Sequence, residues 1–299
     1  MRNNRLRSKS DRLFDTTIAG VPTIFYVILY LLPCMAGLVF SFTDFGGYSL
    51  NFNWIGFANY KKMFADPAFI RSVVNYFKLY LGTLIFCFPI AFGTANILTR
   101  SKLLRERNLY RVLFFFPSTV PVLIISIMWM TMYNPSFGIL NQILSFFGLP
   151  GVQWLGSTKT VMTSIIIMVI WRQFGFYLVY FMAAISNVPL SIYESARIDG
   201  ASEMKQVFII TVPLCWEQIR TSMLFYIQSA INIGFDIVFI TTQGGPDNAS
   251  QILPSYMYQK ITESLDYGMS SAIGVAMLFV TLLLAAAVLK LTKRETYEM

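Results

Sequence analysis

Histidine is absent from this chain, charged residues make up only 13% of it, and cysteine occurs three times. Each scarcity closes a class of function. Without histidine there is no Ser-His-Asp triad, no HExxH zinc site and no histidine proton relay. Cys34, Cys87 and Cys215 are an odd, scattered set that offers neither a disulfide framework nor a CxxC metal site, and they read as small buried hydrophobes. A soluble domain carries about 25% charged residues. This chain of 299 residues has about half that share, with 56% hydrophobic and 16% aromatic residues. No soluble core hides such an excess, so the chain reads as an integral membrane protein, all-α in class.

About 20 mostly apolar residues cross a bilayer as a helix. Six stretches qualify: residues 18–42, 74–98, 109–133, 161–186, 214–240 and 271–291. They divide the chain into a basic segment 1–17, a six-helix domain 18–292 and a tail 293–299. Asn134-Pro135, Gly138 and Gly148 to Gly151 end the third span and predict a structured loop after it. Pro89, Pro117 and Pro121 are expected as kinks. The net charge of +8 follows topology. With both termini inside, sixteen of the 23 basic residues fall on inside segments, among them Arg2, Arg5, Arg7, Lys102, Arg105 and Arg294. The lysine and arginine bias therefore places both termini in the cytoplasm. Met1–Asp15 is too polar for a signal peptide, and the first apolar run is taken as retained.

The segment Asn187–Pro213 carries the most local information. Ser191 and Glu194 have the S-x-x-E spacing of a capping box, which predicts a short helix starting after Ser191. Gly200 stands where a C-terminal glycine ends a helix. A second helix is predicted from Ser202 toward Pro213. The outcome is a helix–turn–helix elbow that suits either insertion into a partner's groove or an interfacial position on the membrane.

Glu194-Ser195-Ala196, then Asp199-Gly200-Ala201, then Ile210 and Pro213, resemble the EAA loop of ABC-importer permeases, in the form of the carbohydrate-uptake, maltose-transporter-type branch. Ser195 stands where alanine is usual and Val212 where leucine is usual, and neither adds bulk or charge. Trp54 to Tyr60, Gly244-Gly245-Pro246 and Tyr267-Gly268 are similar to other signatures of that branch, in the expected order. The resemblance implies a type I importer permease with a second six-span permease subunit, a cytoplasmic ATPase dimer and an extracytoplasmic solute-binding protein. It implies a sugar substrate, with an oligosaccharide favoured, and a polyol or a sugar phosphate such as glycerol 3-phosphate as the alternative. Tyr193, Glu194, Ala196, Asp199, Gly200, Ala201 and Pro213 are the expected coupling residues, with Glu194 capping the helix. This chain has no G-x-x-x-x-G-K-[ST] run, so ATP and Mg belong to the partner ATPase and no cofactor is expected here.

Polar groups inside spans are costly and therefore mark candidate sites. Gln228, Asn232 and Asp236 share one face of the fifth span, with Ser229 beside it, and Gln173, Phe174 and Tyr177 lie on the fourth. Aromatic faces with uncharged hydrogen-bonding groups suit a sugar, whereas the same residues also suit ties between helices. Arg172 and Asp236 are candidates for an ion pair. A secondary transporter is the rival class, but the elbow has no role there and Asp236 is thin support for ion coupling. Nucleic acid is not an expected partner; the lipid bilayer is.

Overall fold

A computed structural model describes residues 9–48, 51–100 and 106–293, with side chains from residue 17 onward. Arg2, Arg5, Arg7, Lys102, Arg105 and Arg294, which entered the topology argument, lie outside the described residues, as do the side chains of Lys9 and Arg12. Among the described residues the secondary structure is helical, and the only extended pairing is a single bridge between Thr43 and Trp54. Among the described residues five helices are long and apolar enough to cross a membrane, or six if one bent pair is counted as a span.

The chain forms two compact units, residues 1–65 with 259–276, and residues 66–258 with 277–299. In the first, α1 (Lys9–Tyr26) passes through a π-turn (Val27–Leu31) into α2 (Leu32–Phe40), and α3 (Ala58–Ala65) follows. Pro33 explains the turn. A proline has no N–H to donate and its ring displaces the carbonyl four residues back, so the bonding pattern widens just before it. Cys34 is exposed on α2, which corrects its reading as a buried residue. Asn59 accounts for part of the first external signature, since its Nδ2 donates to the carbonyls of Ser41 at 3.0 Å and Thr43 at 2.8 Å, beyond the end of α2. Gly268 accounts for part of another. Its N–H donates to Phe45 O at 3.0 Å, and any Cβ there would run into the Thr43 carbonyl. The Asp44 carboxyl is held below the usual carboxylate range by the Asn53 side chain and then by its backbone N–H.

The second unit holds α4 (Pro67–Arg100), α5 (Arg107–Thr119), α6 (Val122–Met132), α7 (Ile139–Phe146), α8 (Val161–Ser186), α9 (Leu190–Ile198), α10 (Glu203–Gln206), α11 (Val212–Leu214) and α12 (Trp216–Thr241). The remaining helices, α13 (Leu253–Thr262) and α14 (Tyr267–Leu291), contribute residues to both units. Its packing centres on α8, which lies against α4, α5 and α12. Where α5 meets α8 the backbones approach so closely that a Cβ on Gly175 would overlap the Phe114 carbonyl. The apolar run over 109–133, read as one kinked span, is two helices bent by 97°. Pro121 is the cause. It drives Val120 out of the helical region to ψ 136°, and the chain restarts as α6 after it. The loop expected after α6 contains α7, and Asn141 of that helix bonds Val152 and the Trp154 indole.

Candidate functional site: a capped elbow and an uncharged cavity

The elbow forms between α8 and α12. Its first helix, α9, begins at Leu190 with Pro189 in the cap position and no side-chain cap bond. The S-x-x-E box is therefore not made, and Glu194 does not cap the helix. Pro189 restarts the chain early enough that Ser191 already lies inside the first turn, leaving Glu194 exposed in mid-helix. The other end is closed as Gly200 predicts. Gly200 adopts φ +77° and its N–H donates to Arg197 O at 3.1 Å, while the Ala201 N–H donates to Ala196 O at 2.9 Å. These are the paired bonds of a Schellman cap. Ser202 then caps α10, accepting from the Lys205 N–H at 3.4 Å. A π-turn over Val207–Thr211 follows, and Pro213 stands two residues beyond it in α11.

Of the expected coupling residues, Tyr193 is buried, Ala196, Ala201 and Pro213 are half-buried, and Glu194, Asp199 and Gly200 are exposed. Tyr193 faces inward. Its hydroxyl lies 3.1 Å from that of Thr211, and burial pushes its pKa upward. Two residues that the sequence reading missed complete this interior. Arg100, the last residue of α4, lays its guanidinium 3.5 Å from the centre of the Tyr193 ring. Its Nη2 donates to Gln206 Oε1 at 2.6 Å, and Gln206 Nε2 donates to Ala201 O at 2.8 Å. Gln206 is 1% exposed. By contrast Leu190 and Ile198, at the two ends of α9, are 71% and 87% exposed.

The second feature is a cavity of about 410 Å³ between α8 and α12. Gln173, Phe176, Tyr177 and Tyr180 form one stripe of α8, and Ser222, Phe225, Ser229 and Ile233 face them from α12. Among the described residues no charged side chain lines it. Gln173 Nε2 donates to Ser229 Oγ at 3.2 Å across the two helices. Gln173, Tyr177 and Ser229 are thus brought together at one cavity. Phe174 is not among them. It points to a separate, larger cavity with Trp129 and Trp171, because it lies about 100° around the helix from Gln173. Gln228 and Asn232 lie on an exposed face of α12, and Asp236 is half-buried one turn further on. No ion pair joins Arg172 and Asp236 among the described residues. The residues missed, Phe176 and Tyr180, stand at i+3 and i+7 from Gln173, a spacing that was available in the sequence.

Residues 88–296 match the family described as binding-protein-dependent transport system inner membrane component. The diacetylchitobiose uptake system permease protein NgcF of Streptomyces coelicolor is 31% identical, over 96% of this chain and 84% of that protein. A probable ABC transporter permease protein, YurN of Bacillus subtilis, is 30% identical over 91% and 94%. The sulfoquinovosyl glycerol transport system permease protein SmoG of Agrobacterium fabrum is 27% identical over 95% and 92%. Among solved structures, a chain of a bacterial ABC transporter that imports the acidic polysaccharide alginate superposes with a TM-score of 0.82 at 24% identity, covering 97% of this chain and 98% of that one. That likeness confirms the fold of an importer permease. Together these findings establish that the chain belongs to the family of inner membrane components of binding-protein-dependent transport systems.

Proposed function

We propose that this chain is the permease subunit of an ATP-driven importer that moves a sugar, an oligosaccharide by preference, through alternating access. In this reading a second six-span permease completes the pathway, and an extracytoplasmic binding protein delivers the solute. A cytoplasmic ATPase dimer, which holds ATP and Mg, receives the elbow, and both termini lie in the cytoplasm. The observation that carries the reading is the elbow. A short helix between two membrane spans exposes Leu190 and Ile198 while a buried Tyr193 and a Schellman cap hold it in shape. A short helix with exposed apolar residues at both ends suits a partner's groove.

The sugar assignment is supported by the cavity, which offers the aromatic faces of Phe176, Tyr180 and Phe225 and, among the described residues, no cation of the kind a phosphate would need, while its amide and serine hydroxyls are bonded within the protein. The names of the relatives, which concern diacetylchitobiose and sulfoquinovosyl glycerol, point the same way. The test is reconstitution with the co-purified ATPase and second permease. Uptake of labelled oligosaccharide should require ATP and binding protein and should stop with vanadate. Vanadate-insensitive uptake driven by a proton gradient, with no ATPase in the preparation, would refute the assignment.

A further inference from the structure

The elbow is attached to α8 and α12 by the chain itself. Nothing in the covalent order attaches it to α4, yet the last residue of α4 is fixed inside it. Arg100 makes two contacts there of different kinds, a stack on the Tyr193 ring at 3.5 Å and a hydrogen bond to Gln206 Oε1 at 2.6 Å. Both receiving side chains are buried, Tyr193 at 4% and Gln206 at 1% exposure. Neither is free to follow Arg100 elsewhere. The Tyr193 hydroxyl is taken up with Thr211, and the Gln206 amide with the carbonyl of Ala201 at the turn. A planar guanidinium offers a flat face for a ring and edge donors for an amide oxygen at the same time, which a lysine ammonium does not. The contact therefore joins a helix of 34 residues, spanning about 50 Å, to the inner surface of α9 and α10.

We infer that Arg100 is a positioning residue that ties the end of α4 directly to the elbow, beyond the packing of α4 on α8, so that this end and α9 move as one body. This rests on the proposed function, since α9 is taken to be what the ATPase moves.

The experiment measures distance between spin labels in the assembled transporter. With Cys34 replaced by serine, labels go at the exposed positions Ile97 on α4 and Met204 on α10. In the otherwise natural chain the 97–204 distribution should be narrow and should stay unchanged between the nucleotide-free and the ATP-vanadate states. In Arg100→Met, which keeps bulk but removes charge and donors, the narrow distribution should be lost in both states. Gln206→Leu leaves α4 and the Tyr193 stack intact and should broaden the distribution to a smaller degree, which protects the test if the first variant fails to insert. A narrow distribution in both variants, or a natural chain in which the distance shifts on vanadate trapping, would overturn the inference. Should no ATPase co-purify, the proposed function fails instead, and the nucleotide-free distributions still report on the clasp.

Discussion

Gly200 offers the sharpest test of the elbow, because its environment separates backbone conformation from volume. The residue sits at φ +77° with no atom within 4 Å of where a Cβ would be. A Cβ there would therefore meet no obstacle among the described residues, and the penalty of an added methyl would come from the left-handed backbone, about 1–2 kcal/mol for an ordinary L-residue. That energy multiplies the open-to-closed ratio of the cap by roughly 5 to 30. Asparagine tolerates this region better than alanine, and β-branched residues tolerate it worst. The expected order of elbow integrity is therefore glycine, Gly200→Asn, Gly200→Ala, Gly200→Val. Hydrogen exchange of a peptide covering residues 196–206 reads the opening equilibrium directly, and the Ala201 amide, which donates to Ala196 O, is the reporter. Uptake per inserted chain should fall in the same order while membrane insertion stays constant. The reasoning is refuted if Gly200→Asn is no better than Gly200→Ala, for then side-chain volume against a partner governs the position. Protection at the natural level in Gly200→Val would refute it as well.

Three further expectations follow from other close contacts. Gly175→Ala must push α5 from α8, since the added methyl meets the Phe114 backbone; the cost is about 1–3 kcal/mol, seen as a lower melting temperature of the purified chain. Ser229→Ala removes the partner of Gln173 and should lower stability by about 0.6 kcal/mol, with Gln173→Ala adding little on top in a double-mutant cycle; full additivity would show that the two side chains are not coupled. For Asp44 the folded carboxyl titrates below its unfolded value, so its stabilisation is present above about pH 3.9 and is lost as pH falls through the folded value. The stability difference between the natural chain and Asp44→Ala should accordingly vanish in strong acid, and a difference that persists there would contradict the role of the Asn53 bonds.

What could be read in the sequence was what depends on neighbours along the chain. The Gly200 cap and the Ser202 cap each involve a few consecutive residues, so residue type alone places them. The S-x-x-E box misled because Pro189 outranks it, fixing the start of α9 before Ser191 is reached. Hydropathy likewise placed α4 within the right stretch but missed its start at Pro67, which depends on Asp66 accepting from the Ala68 N–H at 2.9 Å. Arg100 counted only as a topology charge, since its partners lie more than ninety residues away and no local pattern links them. Phe174 was grouped with Gln173 by proximity in the chain, although adjacent helical residues face different ways.

The two π-turns have a consequence for length. Each takes up one residue more than an α-helical turn would, and each ends two residues before a proline that cannot close the narrower ring. One extra residue rotates everything downstream by about 100° relative to an unbroken count. Helical-wheel phases must therefore be restarted at Pro33 and at Pro213, and a stripe drawn straight through either point lands on the wrong side of the helix. The same slack makes Val27–Leu31 a place where the first span, and Val207–Thr211 a place where the elbow, can gain or lose a residue with only local rearrangement. Elsewhere along a span, one residue more would turn the stripe beyond it, such as that from Ser222 to Ile233, away from the space it lines.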